Sequence, residues 1–141
     1  SMGHIYSVAL GICMYEKDKK IVCIDGDASV LMHLGSLSLN HNINPKNLVH
    51  IIINNGAHDS VGAQPTNSFF INFKKLSLAL GYKMYFSSKS IKNIKIKYDI
   101  LKNKEGPILW EIFSSPGSEK DLIRPNLNLL EHRYSFMDVL K

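Results

Sequence analysis

The apolar positions of the chain fall into two alternating kinds of pattern. Ile5, Val8, Ala9 and Ile12 recur at helical spacing and predict a helix over 4–15. Ile21–Ile24 is a short apolar run rich in β-branched residues and reads as a buried strand. Val30, Leu31, Leu34 and Leu37 share one helical face, which predicts a helix over Ser29–Leu39 with Ser29 able to cap its first turn. The run Asn47–Ile53, NLVHIII, is continuously apolar and does not alternate. That argues for a strand buried on both faces, as in a parallel sheet.

A polar loop spans Asn54–Asn67. Phe69, Phe73, Leu76 and Leu80 then share a helical face, ended by Gly81 at a C-cap. Tyr82–Phe86 predicts a third strand. Ser88–Asn103 predicts a helix, with Ile91, Ile94, Tyr98 and Leu101 at helical spacing between lysines, although its IKNIKIKY also alternates. Pro107–Phe113, PILWEIF, predicts a fourth strand, and a short final helix is expected near Tyr134–Leu140. Strands alternating with helices predict an α/β fold: a parallel sheet flanked by helices on both faces, with right-handed crossovers, in one domain over residues 1–141.

Composition changes this picture little. Of 141 residues, 45% are hydrophobic and 21% charged, ordinary for a soluble globular chain. No run approaches the ~20 apolar residues of a membrane span, and no signal peptide is visible, so a cytoplasmic protein is the expectation. Cys13 and Cys23 lie in apolar stretches and read as reduced core thiols. The net charge of +5 comes from scattered lysines without interleaved aromatics. That pattern is a solvated helix face, and no nucleic-acid partner is expected.

The candidate chemistry sits where the first two strands end. In an open α/β sheet, ligands bind beyond the carboxyl ends of the strands. Here those ends carry Gly26-Asp27-Ala28-Ser29 and Asn54-Asn55-Gly56-Ala57. Gly26 is expected to let the backbone turn sharply, and the amides of Ala28 and Ser29 then open a helix, a site for an anion. The Asp27 carboxylate, the Asn55 amide oxygen and a nearby carbonyl would offer a hard cation three oxygens, and Mg²⁺ bound this way completes its shell with phosphate and water. Either turn alone is weak. Both together, with Asp27 and Asn55 separated by 28 positions, describe a site for a diphosphate held through a metal.

That constellation resembles the Gly-Asp-Gly and Asn-Asn motif of the thiamine-diphosphate-dependent 2-oxo acid decarboxylases, with Ala28 in place of the second glycine. SMGH at Ser1–His4, DGDASVLMHLGSL, NLVHIIINNGAHDSVGAQPT, GSEKDLIRP and FMDVL narrow the resemblance, over nearly the whole chain, to the phosphonopyruvate decarboxylases, with sulfopyruvate decarboxylases as close relatives. The resemblance implies a thiamine-diphosphate-binding fold, with thiamine diphosphate and Mg²⁺ as cofactors. It implies that Asp27 and Asn55 ligate the metal by side chain and Ala57 by its carbonyl. Gly26, Ala28 and Ser29 would hold the diphosphate, and Met2 would wedge the cofactor into its bent form. His58 and Asp59 are acid/base candidates near the substrate, with a structural His–Asp hydrogen bond as the alternative. His33 is read as packing or capping. His50, Gln64 and Arg124 could each meet an anionic substrate.

The resemblance also implies partners: a pyrimidine-binding domain, from the same enzyme or a partner subunit, which supplies an activating glutamate, and a small anionic 2-oxo acid substrate. A homo-oligomer with an apolar contact face is expected, as is self-association of the chain made alone. Neither that domain nor the strand expected before Ser1 is present. A fragment or a truncated frame starting at Met2 is preferred to a separate subunit, and the chain alone is expected to be inactive.

Overall fold

The computed structural model describes residues 2–119, 121–123, 126 and 128–140, so Arg124 lies outside the described residues. The chain runs α1 (Ile5–Tyr15), β1 (Ile21–Gly26), α2 (Asp27–Met32), a 3-10 turn Leu34–Leu39, α3 (Asn40–Ile43) and β2 (Leu48–Asn54). It continues through β3 (Ala57–His58), β4 (Gln64–Pro65), α4 (Phe73–Ala79), β5 (Met84–Ser88), α5 (Ile91–Leu101), β6 (Ile108–Phe113) and α6 (Leu129–Val139). The apolar runs pair as a four-stranded parallel sheet in the order β1-β2-β6-β5, while β3 and β4 form a small antiparallel pair of their own.

Side chains alternate across the sheet, so each strand feeds two cores. On one face, Cys23 of β1, Leu48 and Ile52 of β2 and Leu109 of β6 pack against Tyr6, Leu10 and Cys13 of α1 and Phe73 of α4. On the other, Val49, Ile108 and Trp110 meet Leu101 and Ile94 of α5. The predicted helices on both faces are therefore present. Both cysteines are buried and free, and burial pushes the Cys13 thiol up to about 11 and the Cys23 thiol up to about 12. No helix among the described residues is long and apolar enough to cross a membrane.

The third strand lies two residues later than expected, at Met84–Ser88, and three helices differ more from the sequence expectation. The helix predicted over Ser29–Leu39 begins at Asp27 and stops after Met32, and a 3-10 turn follows. The Ser36 and Ser38 hydroxyls donate to the carbonyls of His33 and Gly35 at 2.8 Å, competing with the helical ladder there. His33 ends α2 and meets the His4 ring edge-on, with centroids 4.4 Å apart. The helix expected from Phe69 starts at Phe73, where Asn72 caps it by accepting from the Lys75 amide at 2.9 Å. The final helix starts earlier, at Leu129, capped by Asn128.

Candidate functional site

β1 and β2 are neighbours in parallel register, with Gly26 opposite Ile53, so the turns that follow them emerge side by side at the carboxyl edge of the sheet. A cavity of about 410 Å³ opens between them. Its wall includes Met2, Gly26, Asp27, Ala28 and Ser29 from one side and Asn55, Ala57, His58 and Asp59 from the other. The structure thus brings together every residue that the sequence singled out for cofactor, metal and proton transfer.

Asp27 is 1% exposed, and no basic side chain pairs with it among the described residues. Its Oδ2 accepts from the Thr66 hydroxyl at 2.5 Å. A buried carboxylate without a cationic partner is costly, and a cation entering the cavity would offset that cost. Asn55 is oriented from both ends of its amide: Nδ2 donates to Asp59 Oδ2 at 2.7 Å, and Oδ1 accepts from the Ala57 amide at 3.1 Å. Because a carboxylate oxygen accepts, Asp59 forces the nitrogen toward itself and leaves the Asn55 oxygen on the Ala57 side. Among the described residues no three His, Cys, Asp or Glu side chains cluster as metal ligands. One carboxylate with amide and carbonyl oxygens suits Mg²⁺ that draws its remaining ligands from phosphate and water.

Gly26 corrects one expectation. Its φ of −91° and ψ of 154° are open to any residue, so the turn does not need glycine. A Cβ built there would meet nothing within 4 Å. The unfilled space beside its backbone is room for a ligand, and the residues present fit a metal-bound diphosphate on this observation as well as on their donor chemistry.

Ser29 is not the helix cap, which is Gly26. Its hydroxyl accepts instead from the Gly3 amide at 2.8 Å, tying the N-terminal turn to α2 and setting Met2 on the cavity wall. Gly3 makes this possible with a φ of +83°. The loop after β2 folds back through β3 and β4, and the Thr66 amide donates to the Gly56 carbonyl at 2.8 Å. That return carries Thr66 to Asp27.

Asp59 accepts from Gly117 at 2.9 Å as well as from Asn55, so it joins the loop to the segment after β6. The alternative of a His58–Asp59 hydrogen bond is not met among the described residues; Asp59 turns to Asn55 and Gly117. His58 lines the cavity, half-buried. His50 cannot meet a substrate: it is 0% exposed, with Nδ1 2.7 Å from the Tyr82 hydroxyl and Nε2 3.9 Å from Asp25 Oδ2. Gln64 is exposed on β4, away from the cavity wall. Burial alone would raise the Asp25 carboxyl, but His50, Ser29 and the Gly26 amide hold it below its ordinary value. Burial outweighs Asp25 at His50 and pushes the imidazole down, so the charge stays on Asp25. Sequence reasoning missed Thr66. It stands inside the most specific stretch, NGAHDSVGAQPT, but nothing in the spacing says which carboxylate its hydroxyl meets.

Residues 1–112 match the family profile described as thiamine pyrophosphate enzyme, C-terminal TPP binding domain. The chain is 34% identical over 131 residues, 93% of its length, to the phosphonopyruvate decarboxylase of Streptomyces viridochromogenes, and covers 33% of that protein. It is 35% identical over 127 residues to the phosphonopyruvate decarboxylase of Streptomyces hygroscopicus, covering 31% of it. The chain therefore spans about a third of the length of these two relatives. It is also 31% identical, over its whole length, to the sulfopyruvate decarboxylase subunit beta of Methanococcus maripaludis, covering 75% of that subunit. The cavity at the ends of β1 and β2 thus lies within a matched cofactor-binding domain, and the chain belongs to the thiamine pyrophosphate enzymes.

Proposed function

We propose that this chain is the diphosphate- and metal-binding part of a 2-oxo acid decarboxylase that converts 3-phosphonopyruvate to phosphonoacetaldehyde and CO₂, within a larger enzyme that includes a pyrimidine-binding domain. The observation that carries the reading is the cavity wall itself. A buried carboxylate without a cation, an oriented amide oxygen, an open backbone cradle at Gly26 and an apolar Met2 meet at the carboxyl ends of two adjacent parallel strands. Bound there, thiamine diphosphate would supply an electron sink for the bonding pair left behind when CO₂ departs.

On this reading the residues of the chain divide the work. Asp27, the Asn55 side chain and the Ala57 carbonyl hold Mg²⁺. The Gly26, Ala28 and Ser29 turn receives the diphosphate, and Met2 supports the bend of the cofactor. His58 is the acid/base candidate on the cavity wall, while Asp59 keeps the Asn55 amide in register. The phosphonopyruvate decarboxylases align over most of the chain and favour the phosphono acid as substrate. Sulfopyruvate is the second reading, favoured by full-length alignment with the Methanococcus maripaludis subunit.

Melting the intact protein with and without Mg²⁺ and thiamine diphosphate tests the site. Ligand at 100 times its dissociation constant should stabilise by about 2.7 kcal/mol. No shift would leave a non-catalytic version of the fold. Competition between phosphonopyruvate and sulfopyruvate for CO₂ release then decides the substrate, and turnover of neither refutes both assignments.

A further inference from the structure

An unbroken run of hydrogen bonds leaves the cofactor cavity at Asp27 and ends at Tyr85, on the wall of a separate cavity of about 430 Å³. The Thr66 hydroxyl lies 2.5 Å from Asp27 Oδ2 and 2.9 Å from Ser68 Oγ. Ser68 Oγ donates to Asn54 Oδ1 at 2.8 Å, and Asn54 Nδ2 donates to Glu111 Oε1 at 2.6 Å. The Tyr85 hydroxyl donates to Glu111 Oε2. Asn54 is 0%, Ser68 1% and Glu111 4% exposed, and all three border that second cavity together with Tyr85.

Its direction is fixed from the far end. Burial, and then Glu111, push Tyr85 well above its ordinary value, so it keeps its proton and donates. The Glu111 carboxylate accepts from Tyr85 and from Asn54, which must turn its nitrogen to Glu111 and its oxygen to Ser68. Ser68 has one hydroxyl proton, and that oxygen takes it. Thr66 therefore receives none from the Ser68 hydroxyl, and its own proton has two acceptors. The nearer one, on a carboxylate, wins.

We infer that Thr66 is a positioning residue for the metal: it fixes the Asp27 carboxylate before a cation arrives, while Ser68, its own proton turned to Asn54, offers Thr66 only a second, more distant acceptor. This rests on the proposed reading of Asp27 as a metal ligand. Hydrogen-bond partners behind a ligand, when removed, typically weaken metal binding 10–100-fold.

Calorimetric titration of the intact protein carrying this chain with Mg²⁺, at saturating thiamine diphosphate, separates the possibilities. Thr66→Val keeps the shape and removes the donor. It should raise the apparent Mg²⁺ dissociation constant about 10–100-fold, beyond the lowering of the metal-free melting temperature that stripping the buried Asp27 carboxylate of its donor brings, and Thr66→Ser should restore affinity. A purely structural threonine would lower the metal-free melting temperature without changing metal affinity. Should Thr66→Val not fold, Thr66→Cys, whose thiol is a weak donor, decides: affinity weakened severalfold supports the inference, and wild-type affinity overturns it. Wild-type affinity in Thr66→Val, with Asp27→Ala unable to bind, removes the inference and keeps the metal site. If the unaltered protein takes up no Mg²⁺, or Asp27→Ala binds as well as it does, the metal site falls and the inference with it.

Discussion

At the scale of single residues, Gly26 separates what the fold needs from what a ligand needs. Its backbone conformation suits any L-residue and the space beside it is open, so Gly26→Ala introduces no clash in the metal-free chain. Removing glycine's freedom from the unfolded chain should stabilise the fold by about 0.4–1 kcal/mol. The added methyl occupies the cradle, so affinity for Mg²⁺ with thiamine diphosphate should fall at least tenfold, about 1.4 kcal/mol. Melting curves with and without the ligand check both signs together; a variant that binds normally would deny the cradle its role. Asp27 and Asn55 were legible from sequence because their residue types and spacing carry the chemistry directly. Thr66 and Glu111 were not. A hydroxyl or a carboxylate takes its meaning from neighbours that only the folded chain assembles, here across 39 positions from Thr66 to Asp27 and 57 from Asn54 to Glu111.

At the scale of elements, the four parallel strands were readable because continuous apolar runs leave few alternatives to burial on both faces. The breaks were not. The α2 helix stops where serine hydroxyls compete for carbonyls, and the loop after β2 acquires the β3–β4 pair that the sequence reads only as polar. Gly56 directs that loop with a φ of +71°. A Cβ there would stand 2.2 Å from Phe69 Cε2, but Phe69 is 61% exposed and can swing aside, so the left-handed backbone decides the cost. Gly56→Ala should therefore destabilise by about 1–2 kcal/mol. Phe69→Ala should not rescue it. The two changes should add in a double-mutant cycle read by denaturant melting, with faster amide exchange from Ala57 to Thr66. A large favourable coupling would instead make the ring clash the cause.

At the scale of the whole molecule, two features bear on behaviour in solution. Val22 and Ile24 of the edge strand β1 are 52% and 58% exposed, and Ile5, Val8 and Phe136 are exposed beside them along one shared groove. The core beneath the cofactor cavity also holds a titratable group whose charging burial opposes. Asp25, Tyr6 and Tyr82 face His50, and Cys23 lies in the same core. Burial holds the imidazole below its ordinary 6.5 in spite of Asp25. In the unfolded chain His50 returns to about that value. As pH falls through 6.5, the unfolded chain takes up a proton that the folded chain refuses, so stability falls with it. The slope reaches up to about 1.4 kcal/mol per pH unit. Asp25 acts in a separate window: its lowered carboxyl stabilises the fold above its ordinary 3.8 and loses that contribution only below it. The acid limb that sets in below pH 6.5, before Asp25 titrates, should thus belong to His50. His50→Gln, which retains a polar group beside Tyr82 and takes up no proton, should flatten that limb in unfolding curves measured across the range. An unchanged slope in the variant would leave the buried Asp25–His50 pair with no part in the acid sensitivity.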